Sequence, residues 1–202
     1  VVGLSVSKTS TKTMGEVKEH KLRGGAPYSE GHRRMYTTIA EILGNRPAKI
    51  LEIGFGIGYG LEQLFKSKCI EDYFGVEIDK ECVDFVENLM FHFEDSYDDK
   101  SVITLKHADW LEMPIEELEF FPDFTLCIEV MEHIKEAQWL PFLQKIKPQT
   151  KHALFLSTPN KNTHRHGVMS VEKTRRLILA AGFNSVAQVE WQWTTLYVCN
   201  PK

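Results

Sequence analysis

Residues 49–60 read KILEIGFGIGYG, an apolar run (Ile50, Leu51, Ile53) followed by glycine at every second position from Gly54 to Gly60. The run predicts a buried β-strand. The glycines predict a turn that a ligand approaches closely, because a residue without Cβ leaves that space open. Spacing decides which ligand. A phosphate-binding loop needs G-x-x-x-x-G-K-[ST], and no Lys-Ser/Thr pair follows these glycines. The dinucleotide fingerprint needs G-x-G-x-x-G, but its third position is Tyr59 counted from Gly54 and Leu61 counted from Gly56. What remains is an acid followed by three alternate glycines: Glu52, Gly54, Gly56, Gly58. Gly60 falls outside that pattern and is expected to serve close packing at the start of the next helix.

Outward from this stretch, the apolar period switches repeatedly between two and 3.6. It predicts strands over 48–54, 72–79, 101–109, 123–130 and 152–159, and helices over 28–43, 59–68, 80–95, 137–146 and 171–183, with an irregular start at Pro141 in the fourth. The central strands are continuously apolar, as in a parallel sheet covered on both faces. Residues 185–200 hold two β-rich runs with no helix between them, which predicts an antiparallel hairpin at one sheet edge. The fold class is therefore α/β: a doubly wound, seven-stranded, mostly parallel sheet with a C-terminal antiparallel hairpin. Residues 28–202 form one domain behind a flexible, lid-like leader, 1–27.

The bulk composition narrows the function. With 202 residues, 43% hydrophobic, the chain can bury a sizeable core. Its net charge of -4 and pI of about 6.1 weigh against a whole-surface nucleic-acid binder. A local basic lip remains, from Lys8, Lys12, Lys18, Lys21 and Arg23 in the leader and from Lys161, Arg165, Lys173, Arg175 and Arg176. Cys69, Cys82, Cys127 and Cys199 form no C-x-x-C pair and read as free thiols of a reducing, cytoplasmic compartment. No apolar stretch reaches membrane-spanning length.

On Glu52, Gly54, Gly56 and Gly58 the sequence resembles the class I S-adenosylmethionine-dependent methyltransferases. Further positions match that family in order: Glu77 at the end of the second strand, Asp109 and Trp110 after the third, EVMEH at the end of the fourth, STPN after the fifth. The resemblance covers about residues 35–200. It implies S-adenosylmethionine as cofactor. Glu52 would sit near its cationic aminoacyl end, Glu77 would accept both ribose hydroxyls, and Asp109 would take the adenine amino group. Trp110 or Ala108 would lie near the face of the base, and Ile78 and Glu129 would also belong to the cofactor site. An ammonium and a sulfonium suit a carboxylate beside the turn, where a pyrophosphate would not.

The fourth-strand stretch holds Glu129, Glu132 and His133, which share one face if the chain turns helical there. Two carboxylates and an imidazole can bind a divalent metal. The stretch also resembles the Hen1-type small-RNA 2′-O-methyltransferases, in which E-x-x-E-H and a later histidine hold a metal; His166 is the nearest equivalent here. The competing reading takes Glu129 and His133 as metal-free substrate-side residues, with His133 removing a proton from an oxygen or nitrogen acceptor. Tyr28, His32 and Tyr36 belong to the segment expected to fold over the site. The main expectation is methyl transfer to a small molecule or RNA. The alternatives are metal-dependent RNA 2′-O-methylation and a non-catalytic cofactor-binding subunit on the same fold.

Overall fold

Strand β1 (Ala48–Ile53) lies between two parallel neighbours, β2 (Ile70–Glu77) and β4 (Phe124–Cys127). That position accounts for its unbroken apolar run: Ile50 is buried on one face of the sheet, Leu51 and Ile53 on the other. β3 (Val102–His107) extends the sheet beyond β2, and β5 (Ala153–Pro159) extends it beyond β4. β7 (Thr194–Asn200) pairs antiparallel with β5 and with the edge strand β6 (Ser185–Glu190). The order is β3-β2-β1-β4-β5-β7-β6, seven strands with the expected hairpin at one edge. The computed structural model describes residues 25–44, 46–91, 101–159, 170–191 and 194–202. Leader residues 1–24, the end of the expected 80–95 helix, Lys161, His164, Arg165 and His166 lie outside the described residues.

Helices cover both faces. α1 (Gly25–Leu43), α2 (Tyr59–Lys66) and α3 (Lys80–Phe91) pack on one face through Ile39, Leu64 and Val86. α4 (Glu136–Ile146) and α5 (Val171–Ala180) pack on the other through Phe142, Leu143 and Ile178. Local signals set several ends. Ser170 caps α5, its Oγ accepting the Lys173 N–H at 3.2 Å. Gly182, at φ +96°, turns the chain away beyond α5.

Four local expectations shift. α1 starts at Gly25, three residues before Tyr28. α4 runs straight through Pro141: the ring removes one helical N–H, but buried Trp139, Phe142 and Leu143 hold the turn against the core. β4 stops at Cys127, because Glu129 takes a left-handed φ of +54° that no strand accommodates. Only Met131–His133 then turns, as a single 3-10 turn, so Glu129 is not on a helix with Glu132 and His133.

Candidate active site

The strand order reverses between β1 and β4, and the segments leaving the two strands diverge there. In an open parallel sheet this is where a crevice forms at the carboxyl ends of the strands. A cleft of about 760 Å³ occupies that place, bounded by the loop after β1, the ends of β2 and β3, the turn after β4, and α1.

The loop after β1 makes one wall. Gly54 has φ +76°, and a Cβ there would run into Val130 Cγ2, so both backbone and space exclude any side chain. At Gly56 a Cβ would meet nothing within 4 Å; that side is open to the cleft. The Gly56 amide donates to Glu77 Oε2 at 2.8 Å, and the Asp79 amide donates to Glu77 Oε1 at 2.9 Å. Glu77 is thus fixed by one backbone bond on each oxygen. A carboxylate oxygen has two lone pairs, so each retains acceptor capacity on the cleft side. Cys82, also on the cleft, has its thiol pushed up to about 12 by burial, with Asp79 and Glu77 adding to the shift, and stays a neutral wall.

The opposite wall is the turn after β3. Asp109 organises it: its Oδ1 accepts the Leu111 N–H at 2.9 Å, and its carbonyl accepts the amides of Glu112 and Met113. Ala108, Asp109, Trp110 and Leu111 all border the cleft. Ile78, 65% exposed, completes this end with an apolar surface.

At the far end, Glu129 leaves β4 with its amide donating to Ser157 Oγ at 2.8 Å. Its carboxylate borders the cleft, and His32 Nε2 from α1 lies 3.5 Å from its Oε2. His133 borders the same space.

A third acid sits behind the loop rather than in the cleft. Glu52 is fully buried, and the hydroxyls of Tyr36 on α1 and Tyr73 on β2 both donate to it, the latter at 2.6 Å. Burial raises the Glu52 carboxyl above its ordinary range, and the two hydroxyls pull it partly back. Two glycines make room for these rings. A Cβ on Gly60 would lie 2.6 Å from Tyr36 Oη and closer still to the ring carbons, and one on Gly75 would lie 2.8 Å from Tyr73 Cε1.

The family profile described as a methyltransferase domain matches residues 28–193. The chain belongs to the methyltransferase-domain family. The architecture of this methyltransferase is the class I fold. Solved structures with the same fold include the magnesium protoporphyrin IX methyltransferase ChlM of Synechocystis PCC 6803 with bound SAM. The two share 13% identity at a TM-score of 0.66, over 98% of this chain and 86% of that one. The methyltransferase domain of bacterial CtHen1 has 19% identity and a TM-score of 0.66, over 84% and 98%. A SAM-dependent methyltransferase of Aquifex aeolicus has 16% identity and a TM-score of 0.62, over 81% and 88%. No curated protein matches the chain in sequence.

Most residues expected at the site of this methyltransferase do gather at the cleft: Gly54, Gly56, Glu77, Ile78, Asp109, Trp110, Glu129 and His133. Three do not. Glu52 is a buried anchor for α1 and β2, because its position on the strand points it into the layer between sheet and helices. Gly58, at φ +79°, starts α2 behind the loop, with Val86 beside it. Glu132 turns inward, 8% exposed, with one oxygen lacking any hydrogen-bond partner among the described residues. The E-x-x-E-H stretch therefore presents Glu129 and His133 to the cleft without Glu132. Among the described residues no three ligands gather around a common point, and His166 is not among them. Sequence reasoning missed Lys135, Gln138 and Phe142 as cleft residues. His32 was expected only as part of a covering segment; its spacing of four from Tyr36 is the signal that both share one helix face. The side chain of Tyr28 lies outside the described residues.

Proposed function

We propose that this methyltransferase takes its methyl group from S-adenosylmethionine bound between the β1 loop and the β3 turn, and delivers it to an oxygen or nitrogen acceptor beside Glu129 and His133. The observation that carries the reading is Glu77: a carboxylate fixed by two backbone amides, with remaining acceptor capacity facing the cleft. That geometry fits a vicinal diol, as a ribose offers. The open face of Gly56 admits the ligand, Asp109 suits the amino edge of a base, and Ile78 offers it apolar surface.

Bound there, S-adenosylmethionine would supply a sulfonium-activated methyl group for displacement by the acceptor's lone pair. The chain's own residues orient and move protons. Glu129, whose carboxylate borders the cleft, answers the cationic end of the donor, the part expected of Glu52. His133 receives the proton that an O–H or N–H acceptor must lose. His32 closes over Glu129 from α1 and limits entry of water.

The acceptor is a small molecule or RNA, and the basic residues of the leader and of 161–176 supply positive charge that suits an anionic one. Metal-dependent RNA 2′-O-methylation gains no support from Glu132, which is buried and does not border the cleft. The domain spans 28–202, and the free thiols fit a cytoplasmic setting. Among the described residues, no helix is long and apolar enough to cross a membrane.

Calorimetry with S-adenosylhomocysteine and NAD tests the donor half. The wild type should bind the first and not the second, and Glu77→Ala should weaken binding roughly a hundredfold, as expected for losing hydrogen bonds to a charged acceptor. NAD binding in preference, or an unaffected Glu77→Ala, would overturn the reading.

A further inference from the structure

The β3 turn that forms one wall of the cleft is held from behind by an unusual partner. Lys145, in the last turn of α4, reaches across with its ammonium and donates to three backbone carbonyls: Trp110 at 2.6 Å, Leu111 at 3.1 Å and Met113 at 2.6 Å. The same Nζ lies 5.2 Å from the centre of the Trp110 ring. Three carbonyls converging on one point need three N–H donors on one atom, and lysine alone among side chains supplies them. Among the described ion pairs Lys145 has none, so its charge is committed to the turn. Burial lowers its pKa, with Asp109 and Glu116 opposing.

The two sides of the turn are thus secured separately. On the cleft side Asp109 ties the amides of Leu111, Glu112 and Met113. On the far side Lys145 gathers the carbonyls. The base of the turn is tied directly to β2, where the Ala108 N–H donates to the Glu77 carbonyl at 3.0 Å; beyond that bond, the carbonyls of Trp110, Leu111 and Met113 are held from α4 by Lys145. That helix itself is anchored in the core by Phe142, Leu143 and Ile146. It also holds the other wall, because the Trp139 indole N–H donates to the carbonyls of Met131 and Ile134, either side of His133, both at 2.9 Å.

We propose that Lys145 is a positioning residue for donor binding: it touches no ligand, but fixes the Asp109–Trp110 wall at the distance from Glu77 that the nucleoside end of the donor requires. The proposal rests on the reading of the cleft as an S-adenosylmethionine site. A wall displaced by a fraction of an ångström to an ångström loses binding out of proportion to the bonds removed, because every contact on that side shifts together.

The test needs no acceptor. Calorimetric titration of the full chain with S-adenosylhomocysteine compares the wild type with Lys145→Met, which keeps the stem and removes all three donors. Binding should weaken roughly ten- to hundredfold. Lys145→Gln, with two donors on a shorter stem, should fall between them, and it carries the test if Lys145→Met does not fold. Ile146→Val trims the adjacent buried residue of the same helix. It should lower the unfolding midpoint while leaving affinity within about twofold of wild type. A Lys145→Met protein that binds within about twofold of wild type overturns the proposal. So does an Ile146→Val protein that weakens as much, since loss of stability alone would then explain both. A wild type that fails to bind S-adenosylhomocysteine overturns the donor reading itself, and this proposal with it.

Discussion

Gly60→Ala is the substitution for which helix propensity and tertiary packing give opposite answers. Gly60 is the second residue of α2 and is buried. Propensity alone favours alanine by up to about 1 kcal/mol. In the structure, the new methyl group would lie 2.6 Å from Tyr36 Oη and closer to ring carbons Cε1 and Cζ, well inside the usual contact distance of about 3.5–4.0 Å. Tyr36 is 4% exposed and its hydroxyl is bonded to Glu52, so the ring cannot shift without breaking that bond. Overpacking of this kind costs about 1–3 kcal/mol. Displacing the ring also breaks the bond from Tyr36 to Glu52, leaving a fully buried carboxylate short of a donor at a further cost of about 1–3 kcal/mol. The expected net loss is about 1–5 kcal/mol. Urea unfolding followed by circular dichroism measures it directly. In a Tyr36→Leu background, which lacks the clashing atoms, the same alanine should cost little or stabilise. A Gly60→Ala protein as stable as the wild type, or an equal loss in both backgrounds, would refute the notch-and-ring account of how α1 docks.

Two further outcomes follow from the site. Burial, with Glu129 adding to it, lifts the Glu132 carboxyl to about 8, against about 4.3 in the unfolded chain. The folded state then holds this proton more tightly, so the contribution to stability is full below about pH 4.3 and is lost as pH rises through about 8. Glu132→Gln removes that titration; the stability of wild type minus variant should fall by roughly 3–5 kcal/mol between pH 4 and 9, and a difference that stays flat would show that Glu132 is not buried as an acid. His133→Ala should leave S-adenosylhomocysteine affinity unchanged while lowering turnover with the true acceptor by roughly 10²–10⁴-fold, the range for a lost acid–base group. Unchanged turnover in a methyl-transfer assay would remove His133 from the proton path.

The placing of Glu77 and Asp109 at the cleft was legible in the sequence, because each stands at or just beyond a strand end, and strand ends are where apolar periodicity stops. The parallel sheet then brings those ends to one rim. Glu52 was expected at the same rim for the same reason, and the structure places it behind the cleft. It too stands next to the glycines, but strand alternation puts it on the α1 face with Ile50, and only the docking of Tyr36 and Tyr73 shows what meets it there. Lys145 reads in sequence as an ordinary surface lysine of an amphipathic helix. Its partners lie some thirty-five residues earlier in the chain and are backbone carbonyls, which carry no residue signature.

By itself the sequence determined the alternation of strands and helices, the glycine turn that excludes both phosphate loops and the dinucleotide fingerprint, and the acids brought to the sheet's C-terminal rim. Those follow from period, spacing and the absence of side chains, all local properties. The direction in which each acid points was decided only by tertiary structure. Glu129 faces the cleft because its backbone is held at φ +54° with its amide on Ser157, a residue 28 positions later in the chain. Glu132, three residues on, faces the core after a single 3-10 turn. Outside regular structure no period links neighbouring side chains, so only the contacts made by the rest of the fold determine which carboxylates reach the site.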